Sequence, residues 1–198
     1  MTIVLQADMT EFFRERLVTA LERQQVAVAA PTEFYLVQLL TGYATQPPND
    51  ALARPLVHRL AEAMETPQPS ERFRRFRDLG DSALYVCGFF ADHLQRRGIS
   101  RDYVVGMGGR AYVEAADLCG RTWGVTDAWL SRVYPQLADG FDTFARVLDE
   151  VRESTALRTP QDVVRLYERW RRTKSPLLAR RLEEEGVFPQ DGDDRVLH

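Results

Sequence analysis

Apolar residues recur every three or four positions along almost the whole chain. Between residues 10 and 24, for example, Phe13, Leu17 and Leu21 fall on one stripe, with polar and charged residues between them. This spacing puts apolar side chains on one face of an α-helix. Only residues 25–30 suggest an extended segment, and no strand-helix-strand alternation occurs. The pattern predicts an all-α fold, a single-domain helical bundle of about eight to ten helices.

Helix caps, glycines and prolines divide this pattern into separate helices. Gly80 predicts an interruption and Pro135 predicts a break or a kink, since both residue types disfavour a helix interior. Gly98 and Gly120 are typical of helix ends. Capping side chains and early prolines predict helix starts at Thr10, Pro31, Asn49 or Asp50, Ser70, Asp81, Ser100, Thr126 or Asp127, Pro160 and Pro176. The domain is predicted to span residues 1–188, followed by a flexible acidic tail, 189–198.

The centre of the bundle is predicted to be an antiparallel hairpin of residues 81–97 and 102–119. Residues 83–91 are apolar on every side, so this helix must be enclosed by others. The second segment has three glycines within residues 106–109, which cost helix stability unless close packing offsets the cost. A short turn near residues 98–101 predicts three facing pairs: Leu84 with Ala115, Gly88 with Ala111, and Ala91 with Gly108.

Two interpretations of this hairpin stay open. In the first, the small residues let the two helix backbones pack closely against each other. In the second, the missing side chains at Gly106–Gly109 leave a cavity, and the protein binds a small molecule or cofactor there. The residues predicted to line such a cavity are Tyr85, His93, Tyr103, Gly108, Arg110, Tyr112 and Glu114. A dinucleotide fingerprint is excluded, because the preceding strand and the third glycine are missing.

Charge and composition narrow the class of protein. The chain has 26 basic and 29 acidic residues, and this net charge of −3 gives no overall attraction to nucleic acid or anionic membranes. Lys174 is the only lysine, a skew typical of GC-rich bacterial genes. No apolar run is long enough to span a membrane, and the first residues lack a signal-peptide pattern. Cys87 and Cys119 are predicted to be reduced, buried thiols, so we expect a protein of a bacterial cytoplasm.

No constellation of residues predicts catalysis or metal binding. The three histidines, His58, His93 and His198, lack the Glu-x-x-His spacing of di-iron helical bundles. Neither a Gly-x-Ser-x-Gly nor a Cys-x-x-Cys motif occurs in the chain. The sequence therefore predicts a non-enzymatic protein with no catalytic residue, no metal and no cofactor.

The strongest charge feature lies near the end of the chain. Residues 165–181 contain seven basic residues and one acid, whereas residues 183–194 contain six acids and no base. We predict that the basic region binds a protein partner; nucleic-acid binding and a merely solvated helix face are the alternatives. A second basic strip, residues 72–77, would widen the region only by lying beside it. The predicted partner contacts are Arg165, Arg169, Trp170, Arg171, Arg172, Lys174, Arg180 and Arg181.

Three stretches carry a resemblance to known sequences. They are LGDSALYVCGFFADHL (79–94), RDYVVGMGGRAYVEAA (101–116) and RLYERWRRTKSPLLARRL (165–182). Together they resemble a family of uncharacterised bacterial all-helical cytosolic proteins, over most of the chain. The resemblance implies a regulatory or accessory role and no known activity, so it supplies no catalytic residue. The oligomeric state is left open by the sequence.

Overall fold

A computed structural model describes residues 2–45, 54–91, 94, 97–122, 129–154, 160–184 and 187–188. Within these residues the protein is all-α and contains no strand, which confirms the predicted fold class. Nine helices are described in full: α1 (Thr2–Arg23), α2 (Ala30–Thr45), α3 (Leu56–Glu65), α4 (Pro69–Phe89), α5 (Arg101–Thr122), α6 (Leu130–Asp139), α7 (Phe141–Glu153), α8 (Pro160–Thr173) and α9 (Pro176–Glu184).

Several predicted helix starts are confirmed and others are wrong. Helices α8 and α9 begin at Pro160 and Pro176, as the cap-plus-proline pattern predicts. Thr10 does not cap a helix, because α1 already begins at Thr2. Pro135 lies inside α6 without ending it, and the break comes at Gly140 instead. The predicted starts at 49–50 and 126–127, and the predicted tail 189–198, lie outside the described residues.

The predicted interruption at Gly80 is wrong, since α4 runs through this residue from Pro69 to Phe89. A Cβ atom added to Gly80 would lie 2.6 Å from Cε1 of Tyr112 on α5. The absence of a side chain therefore lets the Tyr112 ring pack directly onto the α4 backbone. Burial of that ring offsets the helix-propensity cost of the glycine, which is about 1 kcal/mol relative to alanine.

The central hairpin exists, but its register differs from the predicted one. Helix α4 ends at Phe89, where Phe90 leaves the helical region with φ −131°, and Gly98 later adopts φ +66°. Residues 91 and 94 are helical again, and the chain turns at residues 97–98, so the predicted helix stop at Gly98 is confirmed. The break at Phe90, however, interrupts the helix that was predicted to be continuous from 81 to 97. As a result Gly108 lies against Ala83 and not against Ala91, a shift of about two helical turns. Gly88 faces Leu148 of α7 rather than Ala111, and an added Cβ would lie 2.5 Å from the Leu148 Cβ.

Helices α4 and α5 form the antiparallel centre around which the other elements pack. Helix α7 packs against α4, α6 packs against α5, and α3 contacts both α4 and α5, while α1 packs on α7 and α2 on α6. Helix α8 lies on α2, and α9 lies on α8, so this last pair sits at the periphery of the bundle. One connected apolar core runs through the described helices, and its largest fully buried side chains are Tyr85, Tyr112 and Tyr134. None of the helices in the described segments is long and apolar enough to cross a membrane.

Candidate functional site

A half-buried carboxylate lies at the centre of the bundle and joins three helices. Asp81 on α4 accepts two hydrogen bonds at the same oxygen, Oδ1. The hydroxyl of Tyr35 on α2 donates at 2.7 Å, and that of Tyr112 on α5 donates at 2.8 Å. The other carboxylate oxygen, Oδ2, accepts no hydrogen bond from the described residues. We call Asp81, Tyr35 and Tyr112 the interior triad.

Aromatic rings surround the interior triad. Tyr134 on α6 packs edge-on against Tyr35, with 5.6 Å between ring centroids, and lies 6.1 Å from the Tyr112 ring. Phe141 on α7 lies on the other side of Tyr112 at 5.9 Å. Such offset and edge-to-face pairs stabilise aromatic packing beyond simple burial. The triad is therefore held by a packed aromatic shell, and its hydroxyls have little freedom to turn away.

Burial controls the protonation of these groups. It raises the pKa of Asp81 to about 6, although the hydrogen bonds from Tyr35 and Tyr112 and the positive charge of Arg77 act in the opposite direction. Burial also raises the pKa values of Tyr35 and Tyr112 well above the usual value for tyrosine, and the charge of Asp81 adds to this rise. Both tyrosines therefore remain protonated hydrogen-bond donors while Asp81 titrates.

The structure does not gather the predicted cavity residues into one site. Tyr85 and Tyr112 are fully buried in the core, whereas Tyr103 and Arg110 lie at the surface. Arg110 forms an ion pair with Glu114 one turn later on α5. His93 lies outside the described residues.

The space beside Gly108 is already filled. An added Cβ would overlap the ring of Phe141 and would lie 2.8 Å from the Cβ of Ala83. Gly109 has only ordinary contacts, the nearest being the Ala138 carbonyl oxygen at 3.8 Å. The close packing of helices, the first of the two interpretations, accounts for Gly108.

Glu114 alone among the predicted cavity residues lines a described cavity, an open depression of about 130 Å³ between α3, α4 and α5. Arg72 borders the same depression and donates from Nε to the Thr66 carbonyl at 2.7 Å. No group of three histidine, cysteine or acidic side chains with metal-binding geometry occurs among the described residues. Nothing in the described part of this depression marks it as a catalytic centre.

Both cysteines are buried and neither forms a disulfide bond, as predicted. Burial raises the pKa of the Cys87 thiol to about 12. At neutral pH this thiol is therefore protonated, and a protonated thiol is a poor nucleophile. Cys87 acts as an apolar packing residue of α4.

The predicted partner-contact residues lie on the peripheral helices α8 and α9. Trp170 differs from the others because only 5% of its surface is exposed, so it anchors α8 to the core rather than offering a contact. The Lys174 ammonium lies 4.3 Å from the centroid of the Trp170 ring and shields it. Arg171 is half-buried, and the residues whose side chains are exposed are Arg165, Arg169, Arg172, Lys174, Arg180 and Arg181. We call this set with Arg171 the basic surface.

The arginines of the basic surface form fewer ion pairs than the arginines elsewhere in the described part of the bundle. Arginines elsewhere commonly face an acid, as in Arg75 with Glu71 at 2.9 Å and Arg77 with Asp78 at 2.7 Å. On the basic surface Arg165 approaches Asp162 only to 3.9 Å. The other five arginines, Arg169, Arg171, Arg172, Arg180 and Arg181, make no ion pair with any described residue. An open groove of about 320 Å³ on this surface is lined by Glu168, Arg171 and Arg172.

The charge pattern of the sequence predicted the basic surface, but no pattern in the sequence predicted the interior triad. Tyr35 and Asp81 are 46 residues apart, and no local pattern joins them. The available signal was Asp81 itself, a carboxylate directly before a long apolar run, because such a residue needs buried donors.

Comparison with protein-family models finds no match for this chain, and searches of curated proteins and of solved structures find no similar protein. The resemblance to bacterial helical proteins therefore stays a prediction.

Proposed function

We propose that this protein is a non-enzymatic interaction module that binds an acidic segment of a protein partner through the basic surface of α8 and α9. The observation that carries the proposal is the set of arginines there without an acidic partner among the described residues. In keeping with the composition and the reduced cysteines, we propose that the interaction takes place in a bacterial cytoplasm.

Guanidinium groups without internal partners suit recognition of carboxylates. Arginine presents planar donors that can grip a carboxylate with two parallel hydrogen bonds. The groove beside Arg171 and Arg172 offers a place where one partner side chain can settle between two cations. Trp170 lies beneath the surface and fixes the backbone of α8, so the arginines project from a rigid helix.

A protein partner fits the charge distribution better than nucleic acid does. A nucleic-acid surface needs a long basic track, because affinity grows with the number of phosphates contacted. The second basic strip cannot extend the track effectively, since Arg75 and Arg77 are engaged by Glu71 and Asp78. The net charge of −3 also opposes approach to a polyanion. An acidic protein segment can bind to the basic surface alone and does not require a longer basic track.

The test compares two triple variants that change the net charge equally. The first, Arg172→Glu, Arg180→Glu and Arg181→Glu, reverses the basic surface. The control, Arg74→Glu, Arg97→Glu and Arg132→Glu, reverses exposed arginines elsewhere. The probe is a fluorescent peptide of alternating glutamate and tyrosine, and binding is measured by anisotropy at about 150 mM salt.

We expect the first variant to weaken peptide binding at least about tenfold and the control to change it less than about twofold. Equal loss in both variants would show non-specific attraction and would overturn the proposed surface. Tighter binding of a 20-nucleotide single strand than of the peptide at the same salt concentration would favour the nucleic-acid alternative instead.

A further inference from the structure

Helices α3 and α5 together present an exposed apolar face that the other described helices do not cover. Four large apolar or aromatic side chains lie on it, each with 37% to 54% of its surface exposed: Val57, Met64, Tyr103 and Val113. The two helices contact each other directly, and the backbone N–H of Val57 donates to the Tyr103 hydroxyl at 3.0 Å. Apolar surface gathered on neighbouring helices is typical of an interaction site.

Gly106 lies on this face, and packing within one chain does not account for it. A Cβ added to Gly106 meets no atom within 4 Å, whereas Gly80 and Gly108 are each pressed against a neighbouring side chain. Glycine at an exposed position inside a helix lowers helix stability, and at Gly106 no close packing contact with a described residue compensates for this cost. The lack of a side chain does, however, let a second helix approach the α5 backbone closely.

We propose that this face pairs with the same face of a second copy of the chain, with the two α5 helices antiparallel and a two-fold axis at Gly106. The charges on either side of this residue are complementary. Asp102 and Arg110 lie four residues before and after Gly106, so the two-fold axis brings the acid of each copy opposite the base of the other.

The neighbouring register of the same pairing is unfavourable. With the axis midway between Gly109 and Arg110, Asp102 of each copy would face Asp117 of the other. Like charges placed opposite each other in an interface oppose association. The register at Gly106 avoids this contact. Asp102, Arg110 and Asp117 therefore favour the register with its axis at Gly106 over the neighbouring register.

The pairing is expected to be weak and to depend on concentration. Stable dimers usually bury at least about 1,200 Å², and one pair of helices flanked by α3 lies at the low end of that range. We expect a dissociation constant in roughly the micromolar range. This inference concerns α3 and α5 and is independent of the basic surface on α8 and α9.

The first test separates the dimer from the stability of the monomer. Gly106→Gln places a long side chain on the proposed axis. The control, Gly42→Gln, places the same side chain at an exposed position of α2, where an added Cβ also meets no atom within 4 Å. Sedimentation velocity is measured between about 1 and 200 µM, and thermal unfolding at the lowest concentration. We expect both variants to unfold at a higher temperature in dilute solution, because glutamine favours a helix more than glycine does.

Only Gly106→Gln should weaken dimerisation, by at least about tenfold. A wild-type chain that stays monomeric up to about 200 µM, or a Gly106→Gln variant that dimerises as the wild type does, would overturn the proposal.

The second test reverses the proposed cross-axis pair. Asp102→Arg and Arg110→Asp alone each set like charges opposite each other and should weaken dimerisation about tenfold. The double variant restores opposite charges across the axis and should recover dimerisation to within about threefold of the wild type. Thermal unfolding of each single variant checks that it is folded, which matters for Arg110→Asp because that change also removes the ion pair with Glu114. Additive losses in the double variant would contradict the antiparallel register at Gly106.

Discussion

Charged side chains have different surroundings in the interior of the α4–α5 hairpin and on the surface of α8 and α9. In the interior, the carboxylate of Asp81 is held by two tyrosine hydroxyls and an aromatic shell. On the surface, five arginines face solvent or a groove without an acidic partner among the described residues. Among the described residues, Asp81 has no cation in direct contact, and these five arginines form no ion pair although Glu168 lines the same groove as Arg171 and Arg172.

The difference shows which measurable property each region controls. Removing a charge from water costs free energy, so Asp81 links folding stability to pH. Exposed charges are screened by water and salt and contribute little to stability. Their free energy is available for binding instead. Interior substitutions should therefore move the unfolding free energy, and substitutions on the basic surface should move affinity alone.

The largest effect on stability is expected at Gly108, where the hairpin is most tightly packed. Gly108→Ala forces a Cβ into the Phe141 ring and against Ala83, and should lower the unfolding free energy by about 3 kcal/mol. Gly109→Ala makes the same change one residue later, where the nearest atom lies 3.8 Å away, and should raise stability by up to about 1 kcal/mol. Urea unfolding of dilute protein measures both, and equal effects would contradict the close packing.

An intermediate effect is expected from Asp81→Asn, and it should depend on pH. Burial raises the pKa of Asp81 from 3.8 to about 6, so between these values the folded protein holds a proton that the unfolded chain has lost. Stability from this group is therefore greatest below about pH 4, declines as pH rises to about 6, and is constant above. Asparagine keeps an acceptor for both tyrosines and has no charge. Relative to the wild type, Asp81→Asn should gain stability over that interval, on the order of 2 kcal/mol at pH 7.

The other groups that act on Asp81 define the controls for this measurement. They are Tyr35 and Tyr43 on α2, Arg77 and Asp78 on α4, Tyr112 on α5 and Tyr134 on α6. Tyr112→Phe keeps the ring and removes one donor, so it should destabilise the ionised form and push the pKa of Asp81 higher still. A stability difference between wild type and Asp81→Asn that does not change from pH 4 to 7 would contradict the raised pKa.

The smallest effect on stability is expected from the basic surface. The triple variant Arg172→Glu, Arg180→Glu and Arg181→Glu should change the unfolding free energy by less than about 0.5 kcal/mol, because these side chains are exposed and unpaired among the described residues. Urea unfolding measures this beside the binding experiment. A loss above about 1.5 kcal/mol would mean that the arginines hold α8 and α9 in place, and the contrast between the two regions would fail.

Local signals predicted what depends on local chemistry. The three- and four-residue spacing of Phe13, Leu17 and Leu21 specifies a helix wherever the helix packs. Likewise, Thr159-Pro160 and Ser175-Pro176 predicted the starts of α8 and α9, because capping and a fixed proline φ act within one turn. The same local logic failed at Gly80, where a tyrosine from another helix decides whether the helix continues.

The sequence by itself determined the all-α class, the enclosed segment at residues 83–91 and the concentration of cations at residues 165–181, since each follows from composition and short-range spacing. Tertiary structure decided the register of α4 on α5, the filling of the space beside Gly108 and the bonding of Asp81 to Tyr35. These features join residues tens of positions apart. The length and path of the connections fix which distant residues meet, and no periodicity along the chain encodes that path.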